Sequence, residues 1–230
     1  MRLNADFSEP VLIGPESHEW VPSPTAGVTR MMLDRIGDEV ARATSLVRYA
    51  PNSTFPAHTH GGGEEILVLR GEFADDHGRY PTGTYLRNPI GTAHAPEVGS
   101  DGAEIFVKLH QFDREDRRQC AVSITDGAWL PGRPSSLAVM PLHRFGPERV
   151  SVQHWPAGSI LAPRRFTGGA ELLLLEGNLV TPLGELVPGA WLRLPPNARF
   201  EATSGAEGAR VYLKTGHLAS QVKRGSRDGD

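Results

Sequence analysis

Four residues in the first half of the chain have the types and spacing of a metal site. His58 and His60 stand two apart in the run H-T-H, so on an extended strand both rings point to one face. Gly61, Gly62 and Gly63 follow and permit a tight turn, after which a returning strand would bring Glu64 back beside the two rings. Further on, the stretch GTYLRNPIGTAH ends at His94. Three neutral imidazoles and one carboxylate form a donor set suited to Fe(II), Mn(II), Ni(II), Zn(II) or Cu(II). Any one of these histidines alone would more often be a surface or hydrogen-bonded residue. The single cysteine, Cys120, excludes an internal disulfide and a multi-cysteine zinc site, so a bound metal falls to histidines and carboxylates.

The elements that must position these residues are short strands. The 230 residues include 26 Gly and 19 Pro, a density of chain-breakers that does not suit long helices. Apolar runs such as Glu65–Leu69, Ile105–Leu109 and Glu171–Leu175 are brief and bounded by Gly or Pro. Turn signals recur about every ten residues, the spacing of a β-sandwich or barrel. The Arg35–Arg42 stretch alone leaves room for a helix, and its apolar spacing is weak.

The chain also repeats itself. Displacing it by 106 residues lays Pro51–Lys108 over Ala157–Lys214 without a gap, with 16 identities in 58 positions. Upstream the offset becomes 109, where Trp20-Val21-Pro22 answers Trp129-Leu130-Pro131. The copies separate scaffold from chemistry. His58 falls on Arg164, His60 on Phe166, Glu64 on Ala170 and His94 on Phe200, so all four candidate ligands are missing from the second copy. Glu65, Arg87 and Lys108 persist as Glu171, Arg193 and Lys214, and a structural role is expected for them. Phe166 and Phe200 should fill the space a metal would take.

The first copy closely resembles the cupin motifs G(X)5HXH(X)3–4E(X)6G and G(X)5PXG(X)2H(X)3N. They fall on Asn52, His58, His60, Glu64 and Gly71, then on Gly83, Pro89, Gly91 and His94. Asn52 replaces the first Gly, tolerable because Asn is well suited to positive φ, and Val98 replaces the last Asn. More narrowly, HTHGGGEEILVLRGEF and YPTGTYLRNPIGTAHAP look like the cupin domain of ChrR-type anti-sigma factors. The resemblance implies an all-β fold of two tandem jelly-roll barrels. It implies one divalent transition metal (Zn, Fe, Mn or Ni) on His58, His60, Glu64 and His94. It implies a sensor of a small molecule or oxidant, with metal-dependent dioxygenase chemistry on a small carbonyl or diketone substrate as the alternative. The helical, sigma-binding domain of that family holds zinc with a His and paired cysteines, which one cysteine cannot supply.

The expected boundaries are a metal-binding domain at 1–112, a linker at 113–122, a degenerate domain at 123–219 and a flexible tail at 220–230. The charge run FDREDRR, Phe112–Arg118, reads as solvated linker. A net charge of −3 argues against a nucleic-acid or anionic-membrane partner. The longest apolar runs fall far short of the roughly 20 residues of a membrane helix. The opening MRLNADFSEP has no apolar leader core, so the expected location is cytoplasmic. A small-molecule ligand, a regulatory protein partner and a homodimer complete the expectation. For acid–base roles beside a metal, Tyr85, Glu97, Glu104 and His77 are candidates. Phe55, Phe73, Tyr85 and Phe106 are candidate barrel-mouth aromatics, and Cys120 is expected to be inert.

Overall fold

A computed structural model describes residues 1–219; the 220–230 tail, expected to be flexible, lies outside the described residues. Among those residues the chain is nearly all strand, in two compact units that each carry a nine-stranded antiparallel sheet. In the first unit the sheet runs Arg2–Leu3, Val28–Gly37, Ala41–Tyr49, Glu97–Leu109, Glu64–Asp75, Thr84–Asn88 and Cys120–Ser123. In the second it runs Leu130–Pro131, Ala138–Phe145, Glu148–Trp155, Ala198–Thr215, Ala170–Thr181, Trp191–Leu194 and Val11–Ile13. The internal repeat is therefore a repeat of strand order.

Register shows why certain polar residues survive in both copies. Glu65 sits opposite Arg87 on one neighbouring strand and Lys108 on the other. Glu171 sits in the same way between Arg193 and Lys214. All six are buried. A buried charge is tolerated only when paired and hydrogen-bonded. Arg87 meets Glu65 at 2.9 Å and Asp116 at 2.5 Å, and Lys108 donates to the Thr44 hydroxyl at 2.8 Å. In the second unit Lys214 meets Glu148 at 3.0 Å and His217 meets Glu171 at 3.0 Å.

The shared glycines have an equally local cause. Gly71 and Gly177 lie at φ +73° and +71°, and a Cβ at either would come within 2.0 Å of the carbonyl oxygen of Gly102 or Gly208. Two backbones touch at the same corner of each unit, and only glycine fits there. Asn52 does adopt positive φ, at 55°.

Two expectations change. The 35–42 stretch is no helix. It is the join of the Val28–Gly37 and Ala41–Tyr49 strands, which pair antiparallel, with a register shift between Met32 and Asp34, down to Gly37 opposite Ala41. Pairing with a neighbour overrides a weak local helical pattern. The unit boundaries also differ from those read in the sequence. The first unit comprises Met1–Ala5 and Glu19–Gly127, and Asp6–His18 belongs to the second. Within the 113–122 stretch Asp116 is buried on Arg87, and Cys120 begins the strand that pairs with Thr84–Asn88. Val11–Ile13 fills the matching position in the second sheet, with Val11 opposite Arg193 as Cys120 is opposite Arg87.

Candidate metal centre

His58 and His94 face each other in a small two-stranded sheet, His58–Thr59 against Ala93–His94. His60 follows directly, its amide donating to the Thr92 carbonyl at 2.9 Å while its own carbonyl accepts from Gly91 at 2.9 Å. The ring centroids lie 5.1 Å apart for His58 and His60, 4.8 Å for His58 and His94, and 4.7 Å for His60 and His94. One nitrogen from each ring falls within 4.8 Å of the others. The glycine turn then delivers Glu64 as the first residue of the Glu64–Asp75 strand. A Cβ on Gly62 would lie 2.6 Å from the His110 backbone, so this turn is packed to the limit of glycine. One Glu64 oxygen, Oε2, lies 3.6 Å from Nε2 of His60 and 3.6 Å from Nε2 of His94. The structure thus brings together all four residues singled out from spacing.

The arrangement favours neutral rings. Burial pushes His60 down to about 4, with His94 and His58 adding to the effect. Burial also lowers His94, opposed by its hydrogen bond to Asp75. Burial pushes Glu64 up to about 7, against a 3.2 Å hydrogen bond donated by the Asn88 amide. The ring orientations are fixed from behind. Nδ1 of His58 lies 3.2 Å from the Pro56 carbonyl, which can only accept, so in the neutral ring that nitrogen carries the proton and Nε2 the lone pair. Nδ1 of His94 is 2.9 Å from Asp75 Oδ2. The other Asp75 oxygen takes the His77 and Gly78 amides at 2.8 and 3.0 Å and the Tyr80 hydroxyl at 3.0 Å.

The donor set fits a metal on a direct observation. Nε2 of His60 and Nε2 of His94 are buried and have no hydrogen-bond partner. The Nε2 atoms of these two rings face one Glu64 oxygen at 3.6 Å without a hydrogen bond to it, an arrangement that is costly unless a cation joins them.

A cavity of about 400 Å³ opens beside this cluster, lined by His58 and Glu64 together with Tyr49 and Phe55. Phe73 packs against the His94 ring, centroids 5.9 Å apart. The acid–base candidates lie elsewhere. Tyr85 is fully buried beside Arg87, Glu97 is exposed, Glu104 pairs with Arg48 at 2.8 Å, and His77 pairs with Asp76 at 3.3 Å. Phe106 is buried beside Lys108. Burial raises the Cys120 thiol, which agrees with an inert role. Asp75 is the functional candidate that motif spacing missed. The repeat carried a signal for it, since position 181, its counterpart, is Thr.

The second unit shows the same frame without the chemistry. Arg164 pairs opposite Phe200 in the register in which His58 faces His94. Phe166 and Phe200 lie 5.7 Å apart and, with Ala170, join that unit's hydrophobic core.

These two antiparallel barrels, with a His-rich cluster at the mouth of one, define a bicupin. The chain belongs to the ChrR Cupin-like domain family, whose model matches it twice, over residues 8–113 and 117–219. Among solved structures, a proposed dioxygenase from Nostoc punctiforme PCC 73102 superposes with TM-score 0.78 at 15% identity, covering 92% of this chain and 84% of that one. The protein Ylba from E. coli gives TM-score 0.69 at 11% identity, covering 91% of each chain. A mutant of Bacillus subtilis oxalate decarboxylase gives 0.63 at 9% identity, covering 90% of this chain and 77% of that one. At such identities these likenesses establish the fold. No curated protein matches the chain. Among the described residues, no helix is long and apolar enough to cross a membrane.

Proposed function

We propose that the first unit holds one divalent transition metal (Zn, Fe, Mn or Ni) on His58, His60, Glu64 and His94, and that the protein binds or senses a small molecule or oxidant there. The orphaned, buried Nε2 atoms of His60 and His94 carry this reading. A metal so held would supply Lewis acidity and, if redox-active, a site for oxygen. The chain's own residues do the rest. Asp75 and the Pro56 carbonyl hold the rings with their lone pairs toward the centre, Phe73 packs against the His94 ring, and the cavity admits a ligand beside His58. On this reading the protein is cytoplasmic and acts with a regulatory partner of the kind its ChrR-like sequence implies, and its sheet edges would allow a homodimer.

The test is elemental analysis of anaerobically purified protein. Wild type should hold one equivalent of metal, and the His58→Ala/His60→Ala double variant none. A full equivalent in the double variant would refute the ligand assignment.

Dioxygenase activity is the second reading, favoured by the cavity that adjoins two proposed ligands. Oxygen uptake over β-diketone and aromatic ketone substrates by the Fe(II)-loaded protein separates the two. Turnover decides for the enzyme, and a redox-silent Zn(II) site without turnover decides for the sensor.

A further inference from the structure

The cavity beside the histidines has a cationic wall that metal binding does not use. Its volume, about 400 Å³, sits in the lower part of the range of small-molecule sites, roughly 300–1,000 Å³. Val47, Val107 and Leu109 give it apolar sides. Arg30 and Arg35, both on the Val28–Gly37 strand, line it as well.

Neither arginine is fully neutralised. Among the described residues the Arg30 Nε is buried without a hydrogen-bond partner, and the carboxylate paired with Arg30, the mostly exposed Glu39, stands 3.7 Å away. Arg35 is buried and, among the described residues, donates to the backbone carbonyls of Asp38 and Glu39. The Asp38 carboxylate is engaged by the amino terminus of Met1 at 2.7 Å. Burial lowers the Arg35 guanidinium from its usual range and Arg30 lowers it further, opposed by the Glu39 and Asp38 carboxylates. Two guanidinium groups on one cavity wall, whose neighbouring carboxylates Asp38 and Glu39 are both exposed, leave room for an anion.

The sister unit sharpens the point. Arg30 stands opposite Val47, and the equivalent pair in the second unit is Val139 opposite Gln153. The arginine is absent where the metal ligands are absent. Arg35 does persist, as Arg144, but that side chain is exposed while Arg35 is buried. The cationic wall therefore goes with the unit that carries the His cluster.

We propose that this cavity binds a small organic carboxylate, held by Arg30 and Arg35 at its charged end and by the valine and leucine walls along its body. The geometry rests on the metal-site reading above for its orientation, with the far end of the ligand lying toward His58 and Glu64. A guanidinium binds a carboxylate through paired N–H donors, and a single acid group on an apolar body matches a wall of two arginines among Val and Leu. Inorganic phosphate lacks the apolar body and should bind poorly.

Calorimetric titration of the metal-loaded protein with 4-phenylbutyrate, octanoate, phenylpyruvate and hexanoate tests the proposal, with 4-phenylbutyramide and octanamide as neutral counterparts and inorganic phosphate as a further control. At least one acid should bind, and its amide should bind about tenfold or more weakly. Arg30→Gln should erase that preference while leaving metal content at one equivalent, and Arg30→Lys should restore part of it. The His58→Ala/His60→Ala variant separates the two readings. If it loses metal yet still prefers acid over amide, both stand; if it keeps metal and the preference, only the ligand assignment fails. Binding of none of the acids, equal binding of acid and amide, an unchanged preference in Arg30→Gln, or phosphate binding as tight as the best acid would each overturn the carboxylate site.

Discussion

Asp75 Oδ2 lies 2.9 Å from Nδ1 of His94, on the side of the ring opposite the His cluster. Three donors already hold the other Asp75 oxygen, so the carboxylate has one free oxygen and one place to direct it. The imidazole is thereby held in the form that donates from Nδ1 and presents its Nε2 lone pair to Glu64. Carboxylates behind ligand histidines raise their basicity and fix their tautomer.

Replacing Asp75 should therefore weaken metal binding without removing any ligand. Asp75→Asn, which keeps the shape, is expected to lower affinity by roughly 10–100-fold. Competition against a chromogenic chelator measures it, and circular dichroism should show the fold retained. Unchanged affinity in a folded variant would leave Asp75 as a turn residue only.

Glu64 makes the metal-free protein lose stability as pH rises from about 4.5 to about 7. Its folded value, pushed up to about 7 by burial, exceeds its ordinary 4.5, so folding favours the protonated acid. That stabilisation is fully present below about 4.5 and is lost as pH rises through about 7. The histidines act in the opposite sense in acid, because His60 is lowered from 6.5 to about 4 and its charging favours the unfolded chain below 6.5. Comparison with Glu64→Gln isolates the carboxylate. Between pH 5 and pH 8 chelator-treated wild type should lose about 2 kcal/mol relative to the variant, from a shift of roughly 1.36 kcal/mol per pH unit. Urea unfolding at both values checks this, and saturating metal should abolish the difference in wild type by requiring the ionised form.

Phe200 offers a control in the other unit. It occupies the position of His94, is buried, and belongs to a continuous apolar core. Phe200→Ala should cost about 3–5 kcal/mol, the usual penalty for such a cavity. Metal content should stay at one equivalent. A fall to half that value in the folded variant would point to a second site and remove the single-centre reading.

Much of this was legible because the chain holds two copies of one design. His58, His60, Glu64 and His94 stood out through their spacing and through their joint replacement by Arg, Phe, Ala and Phe. Glu65 was separable from Glu64 because only Glu65 persists, and the register later supplied the reason, a buried position between Arg87 and Lys108. Asp75 was not legible from motif spacing, since its bond to His94 spans 19 residues and depends on how a turn is folded back. The arginine wall was hidden for a related reason. Arg30 and Arg35 are an odd number apart and share a face only because the Val28–Gly37 strand shifts register between Met32 and Asp34. A charge run such as FDREDRR looks uniformly solvated, and only the buried partner Arg87 singles out Asp116.

The placing of Asp6–His18 with the second unit has a consequence in time. The Arg193 guanidinium donates to the Asp6 carbonyl at 2.8 Å, across a separation of 187 residues, and Val11–Ile13 pairs with Trp191–Leu194 nearby. On the ribosome this edge strand emerges before Glu19–Gly127 and finds its partner only after that whole segment of the first unit has been made. The first barrel has all its own strands well before that moment. The second cannot complete its sheet until Val11–Ile13 meets Trp191–Leu194, so synthesis should finish the first barrel while that strand still waits for its partner.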